Sequence, residues 1–298
     1  MSEFKSWKQK SHANEWLIFP ENMGSYLSID EVALSKGELY TIITNKRAKG
    51  KKGSIVAILS GTKAEPIIKH LFKIPSSKRN KVKEITLDMA NSMKLIVKRC
   101  FPKAIQVTDR FHVQKLALEA LQEIRIKHRW EAIDQENKLI KIAKEKNIEF
   151  KPKIFSNGDT VKQLLARSRY LLYKAPNNWT NQQAIRAKLL FERYPTIKKA
   201  FELVQGLRNI FNTAKSIQVA YTKLAHWYKD VEQTEFRAFN TIANSIKINY
   251  RSILNYFINR STNAAAESFN AKIKAFRLQF RGVKNIQFFL FRLTQIFA

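Results

Sequence analysis

Only six aspartates occur in this 298-residue chain, and three of them follow short apolar runs: Asp30 in YLSID, Asp88 in EITLD and Asp109 in IQVTD. A further acid is set apart by its surroundings. Between Phe236 and Ala298 there is a single carboxylate, Glu267, among ten lysines and arginines. Carboxylates gathered at strand ends and on a facing helix repel one another unless a cation holds them. Mg2+ takes one or two carboxylates and completes its shell with water and phosphate oxygens. Two such ions can activate a hydroxyl nucleophile and stabilise the leaving oxygen of a phosphodiester. Each acid alone has a plainer reading, because a strand-terminal Asp is commonly a turn or cap residue and a helical Glu a solvated surface group. The set of them argues for a metal site. Glu31 adjoins Asp30, but neighbours on a strand point to opposite faces, so only one of the two can belong to it.

The rest of the composition says whose phosphate this would be. Lys and Arg number 54 against 24 Asp and Glu, giving a net charge of +30 and a pI near 10.2. Such a charge favours a polyanionic partner, and nucleic acid is the first choice over a ribosomal-type role or an anionic membrane surface. The single cysteine, Cys100, excludes an internal disulfide and any cysteine-rich zinc site, and LIVKRCFP places it as a buried apolar residue. His12, His70, His128 and His226 show no ligand spacing with one another. The N-terminus has no apolar core of signal-peptide length, and no run of about 18 uncharged apolar residues occurs. The chain is expected to be soluble and intracellular.

Elements that position these acids can be read from the periodicity. Residues 25–30, 38–45 and 53–61 read as three successive strands joined by turn-sized polar segments, followed by a helix over 64–74, a strand over 82–88, a helix over 90–101 and a fifth strand over 103–109. From Phe111 to about Tyr256 the apolar residues recur at helical spacing, with breaks at Pro176, Asn177–Asn178 and Pro195. Trp130, Trp179 and Trp227 in this stretch are expected to pack in a core. The segment NRSTNAAAESFNAKIKAFRLQFRG is expected to be a helix with Thr262 as N-cap and Gly282 at its end. On it Asn263, Glu267, Asn270 and Lys274 share one face, with Ala266, Phe269, Ile273 and Phe276 towards the other.

Three strands, a helix, a strand ending in Asp, a helix, a fifth strand and a later helical Glu resemble the RNase H-like core of DDE transposases. SIDEVAL, TLDMANSMKLIVKRCFPKAIQVTDRFHVQKLA and STNAAAESFNAKIKAFRLQFRGVKNIQFFLFRL are similar to three blocks of insertion-sequence transposases of the ISL-three family, over roughly residues 25–298. The resemblance implies an α/β fold: an RNase H-like mixed five-stranded sheet flanked by helices, interrupted by a large all-helical insertion before the last catalytic helix. The divisions are an N-terminal arm over 1–24, the first part of the catalytic core over 25–115, the helical insertion over 116–256 and a C-terminal helical part over 257–298.

Carried over residue by residue, the resemblance makes Asp30, Asp88 and Glu267 the catalytic, metal-ligating acids. Asp109 competes with Asp88 for second place. However, Asp109-Arg110-Phe111-His112 is similar to a motif that follows the second acid in related groups, so Asp109 and His112, with Asn263, are assigned to orienting the site. Two Mg2+ ions are implied, with Mn2+ able to substitute. Asn270, Lys272, Lys274, Arg277, Arg281 and Lys284 are the expected contacts to double-stranded DNA at transposon ends and target, and the basic loops 45–53 and 76–81 are similar candidates. The implied reaction is metal-dependent cleavage and strand transfer at insertion-sequence ends, by a homo-oligomer on DNA in the bacterial cytoplasm, without membrane attachment. Barely two dozen residues precede the first expected strand, with no Cys/His cluster or helix pair. The chain is therefore expected to be the catalytic half, with a separately encoded N-terminal DNA-recognition protein as a candidate partner. The alternatives are a DNA-binding remnant lacking that half, and an RNase H-like nuclease or resolvase.

Overall fold

The computed structural model describes residues 2–34, 37–280 and 282–298. It divides into two compact units, one made of Met1–His112 with Asn249–Ala298 and the other of Val113–Ile248.

The first unit is built on a mixed sheet of six strands: β1 (Trp16–Ile18), β2 (Tyr26–Ala33), β3 (Leu39–Asn45), β4 (Ile55–Ser60), β5 (Glu84–Leu87) and β6 (Ile105–Thr108). Their order across the sheet is β1-β4-β3-β2-β5-β6. The sequence-based expectation of five strands is corrected by β1, which lies in the segment expected to be an arm. It pairs antiparallel with β4, Leu17 opposite Ile58, and Leu17 is fully buried. A three-residue strand is too short to display the alternation by which strands are recognised. The segments β2, β3 and β4 pair antiparallel in succession, whereas β2–β5 and β5–β6 are parallel. Parallel pairs need crossover connections, and helices α1 (Ala64–Leu71) and α2 (Asn91–Cys100) supply them.

The period of two in the strands sorts side chains onto two faces. On one, Leu27, Ile29, Ile43, Ile85 and Leu87 pack against Ile67, Ile68, Met93, Ile96 and Val97 of α1 and α2. Cys100 ends α2 in this layer, fully buried, and its burial pushes the thiol pKa up to about 11. On the other face Val32, Ile42, Ile55 and Ile58 meet Phe269 and Ile273, together with Phe289, Leu290 and Leu293. These aromatic and aliphatic residues come from two C-terminal helices, Ala264–Gln279 and Ile286–Phe297. Burying Phe269 and Ile273 contributes about 1.5–3 kcal/mol each and seats the Glu267-bearing helix on the sheet.

The long helix Arg110–Glu145 begins in the first unit and continues into the second. Within the second unit it is followed by helices Val161–Arg167, Asn181–Arg193, Pro195–Thr213, Ile217–Glu232 and Arg237–Ile248. Thr160 and Thr180 start two of these with reciprocal Thr–Gln capping boxes, and Pro195 occupies the first position of another. Trp227 is buried with its indole N–H donating to the Leu203 carbonyl, and Trp179 donates to Leu171. Trp130 corrects the expectation of a core role, since it is 60% exposed on the long helix, as are its neighbours Ile126 and Leu139 in part. Among the described residues no helix is long and apolar enough to cross a membrane.

Candidate active site

The strand register gathers the three aspartates. Ser28 of β2 pairs with Thr86 of β5, and Thr86 with Val107 of β6. Advancing each strand by two residues keeps the face and gives Asp30, Asp88 and Asp109 in one row. That row lies at the carboxyl ends of the parallel strands, where open α/β sheets place their ligands. Only Asp88 and Asp109 stand just past strand ends. Asp30 does not close β2, which runs on to Ala33, with Asp30 itself paired opposite Ile42 of β3. It reaches the row because β2 outruns β5. Glu31 points to the opposite face from Asp30, as alternation requires, and is half-buried.

Asp30 is tethered through both of its oxygens, Asp88 and Asp109 through one each. Asp30 Oδ1 accepts the Glu31 N–H at 2.9 Å, and Asp30 Oδ2 accepts Asn270 Nδ2 at 2.6 Å. Asp88 Oδ1 accepts the Ala90 N–H at 2.6 Å, and Asp109 Oδ1 accepts the Phe111 N–H at 3.2 Å. The latter two are Asx turns that launch the helices after β5 and β6, so the turn role and the site role coexist in the same residues.

Glu267 enters from the first turn of its helix, where the helix dipole favours a carboxylate. One ligating atom each from Asp109, His112 and Glu267 lies within 4.8 Å of the others. Asp109 Oδ2, His112 Nε2 and Glu267 Oε1 are all buried without a hydrogen-bond partner. Asn263, immediately before the helix, is fully buried with both amide atoms unpaired. Thr262 is not the cap: Asn263 occupies that position without a side-chain cap bond.

The electrostatics fit an acid cluster waiting for positive charge. Burial raises the Asp30 pKa above the ordinary carboxylate value, the Asp88 charge adds to this, and the Glu31 N–H, His112 and Asn270 oppose it. Glu267 is raised by burial and then by Asp109 and Asp30, against His112. Glu31 is raised by burial, Asp88 and Asp30. Carboxylate oxygens that repel one another, with a buried imidazole nitrogen beside them and no hydrogen-bond partner for Asp109 Oδ2, His112 Nε2 or Glu267 Oε1, have the donor chemistry for a divalent cation.

Other expected residues fall in different places. Asn270, expected at DNA, is committed to Asp30. Lys272 is exposed, with its ammonium donating to the Gly50 carbonyl at 3.2 Å. Gly50 sits at φ +72, a left-handed backbone conformation that favours glycine. Lys274 and Lys284 are exposed. Arg277 is half-buried, donating to the Val283 carbonyl and lying over the Phe289 ring. Arg281 lies outside the described residues.

A second charged group beside the row was not singled out from sequence. Glu84 is 2% exposed on the same face as Thr86, its Oε2 accepting Asn259 Nδ2 and its Oε1 3.8 Å from Lys46 Nζ. Lys46 also donates to Thr86 Oγ1 at 2.7 Å and feels the charge of Asp109, while burial lowers its pKa. The available signal was the period of two in EITLD, which puts Glu84, Thr86 and Asp88 on one face.

The chain has recognisable relatives among known proteins. The model of the ISL-three (ISL3) DDE transposase family, described as "Transposase", matches residues 27–293. The transposase for insertion sequence element IS1001 of Bordetella parapertussis is 24% identical over 276 residues, covering 91% of this chain and 61% of that protein. The chain thus spans about three fifths of the length of that relative. No solved structure matches. With the family match running across nearly the whole sheet-bearing unit and the helical one, this chain belongs to the ISL-three family of transposases.

Proposed function

We propose that the chain is the catalytic unit of an insertion-sequence transposase that cuts and joins double-stranded DNA at element ends by metal-dependent phosphoryl transfer. The single observation that carries this reading is the row formed by Asp30 on β2 with Asp88 and Asp109 just past the parallel strands β5 and β6, with Glu267 facing it. The strand order supports an RNase H-like core, since β2 is central, with antiparallel β3 and β4 on one side and parallel β5 and β6 on the other. The helical unit Val113–Ile248 stands in the chain as an insertion between that sheet and the Glu267 helix.

In this reading Asp30, Asp88 and Glu267 hold the cations, Asn270 fixes the Asp30 carboxylate, and Asp109, His112 and Asn263 close the site beside Glu267. Bound Mg2+ or Mn2+, two ions in all, supplies activation of the attacking oxygen and stabilisation of the leaving one. Lys46 and Glu84 form a fixed charge pair behind the row, which limits the repulsion among the acids before cations enter. The exposed Lys272, Lys274 and Lys284, with Arg281, bind phosphates without reading sequence, so affinity falls steeply with salt. Homo-oligomerisation on DNA, a separately encoded end-recognition protein and a bacterial cytoplasmic setting belong to the same proposal.

The test is a strand-transfer assay. Labelled DNA carrying the element's ends is incubated with the chain, Mg2+ or Mn2+ and a target plasmid, with and without the co-encoded recognition protein. Joined products are expected. Cleavage without joining under every condition would replace the reading with a nuclease or resolvase, and DNA binding without either reaction would leave a binding remnant.

A further inference from the structure

We propose that Asp109 and His112 are themselves metal ligands, and that with Glu267 they hold one divalent ion in a mixed nitrogen–oxygen site that prefers Mn2+ and later first-row ions to Mg2+. This rests on the metal-dependent reading above and changes its ligand set: an all-carboxylate row suits Mg2+, whereas an imidazole shifts preference towards transition ions.

The geometry carries the assignment. Asp109 directly precedes the long helix and His112 sits in its first turn, so the two side chains rise together from one helix start towards Glu267. The ligating atoms of the three lie within 4.8 Å of one another. Ligands at about 2.0–2.2 Å from a shared ion stand roughly 3–4.4 Å apart, so closure needs movement of less than about 1 Å. Asp109 Oδ1 is spent on the Phe111 N–H, which leaves Oδ2 for the ion. The Phe111 ring meets His112 edge to face at 5.7 Å and limits how the imidazole can turn.

Unpaired atoms give an independent argument. A buried polar group without a partner costs about 1–3 kcal/mol, and such groups call for an unseen ion or water. Asp109 Oδ2, His112 Nε2 and Glu267 Oε1 are three such atoms in one cluster. Asn263 is a fourth residue of this kind, fully buried with both amide atoms unpaired, and its carbonyl accepts the Glu267 N–H one helical turn on. An ion at Asp109, His112 and Glu267 satisfies the three clustered atoms together, since each becomes a ligand.

The experiment uses the full chain without DNA and Mn2+ as the probe. Continuous-wave EPR counts bound Mn2+, and pulsed EPR detects nitrogen directly bonded to it. The expected result is a bound Mn2+ with nitrogen coupling that disappears in His112→Ala and survives in Asp88→Asn. Mn2+ affinity falls at least tenfold in His112→Ala and in Asp109→Asn, with circular dichroism matching the wild type. Mg2+ displaces Mn2+ from the wild type only at more than tenfold molar excess, and this preference is lost in His112→Ala. Bound Mn2+ without nitrogen coupling, or coupling that survives His112→Ala, overturns the inference and leaves metal-dependent chemistry standing. No Mn2+ binding by the wild-type chain overturns both.

Discussion

Replacing Lys46 by Met tests the charge pair behind the acid row. Lys46 Nζ stands 3.8 Å from Glu84 Oε1, the Lys side chain 16% and the Glu side chain 3% exposed. At an effective dielectric of about 20 the attraction over that distance is about 4 kcal/mol. Desolvation of the two groups offsets much of it, so the pair itself adds little. The substitution is different, because it strands Glu84 in the interior with one hydrogen bond, from Asn259. Removing one partner of a buried pair costs about 3–5 kcal/mol. Residual solvent at Lys46 argues for the low end, so Lys46→Met is expected to lower stability by about 3 kcal/mol in urea denaturation followed by far-UV circular dichroism. Lys46→Met combined with Glu84→Gln removes the stranded charge and keeps an acceptor for Asn259, and is expected to recover more than half of the loss. A single variant within about 1 kcal/mol of the wild type, or a double variant as unstable as the sum of the two singles, would refute the reasoning.

Two further perturbations probe the row itself. Asn270→Ala deletes the 2.6 Å bond to Asp30, worth about 1.5–3 kcal/mol for a charged acceptor, and is expected to slow cleavage about 10- to 100-fold while leaving DNA affinity unchanged; equal losses in binding and rate would show Asn270 at the DNA instead. Metal-free stability carries a pH signature, since the folded pKa values of Asp30, Glu267 and Glu31 are raised from 3.8, 4.5 and 4.5 by burial first of all. Their contribution is fully present below those unfolded values and is lost as pH rises through the higher folded ones. A bound cation offsets this, by about 2.7 kcal/mol at a hundredfold excess over Kd. Melting with Mn2+ and with EDTA is therefore expected to separate widely at pH 8 and little at pH 4, and an equal gap at both would count against the cluster.

Asp88 and Asp109 were legible at strand ends because strand periodicity is local, and an apolar run closing on a rare residue is visible within a few positions. Glu267 was legible for a related reason, as one acid on a basic helix whose apolar face, Ala266, Phe269 and Ile273, packs as its spacing required. What escaped was non-local. β1 is three residues long and is defined only by its partner β4. β2 runs past Asp30 because β3 pairs with it, although Asp30 and Glu31 interrupt the apolar pattern. Lys46 looked like one more lysine in a basic loop, since Glu84, which draws it inward, is on another strand. The approach of Glu267 to Asp109 and His112 is not visible locally, because only the helix from the far end of the chain brings Glu267 to them. Trp130 was expected inside because tryptophans usually are, yet the helix that carries it presents it to solvent.

The most direct measurement of the central claim is divalent-metal-dependent cleavage of element-end DNA by the wild type and by Asp88→Ala, Asp109→Ala and Glu267→Ala, each checked for folding and DNA binding. The account predicts cleavage by the wild type that needs Mg2+ or Mn2+ and is lost in all three variants while DNA binding persists. Cleavage that survives Glu267→Ala, or that proceeds at full rate in EDTA, would contradict it.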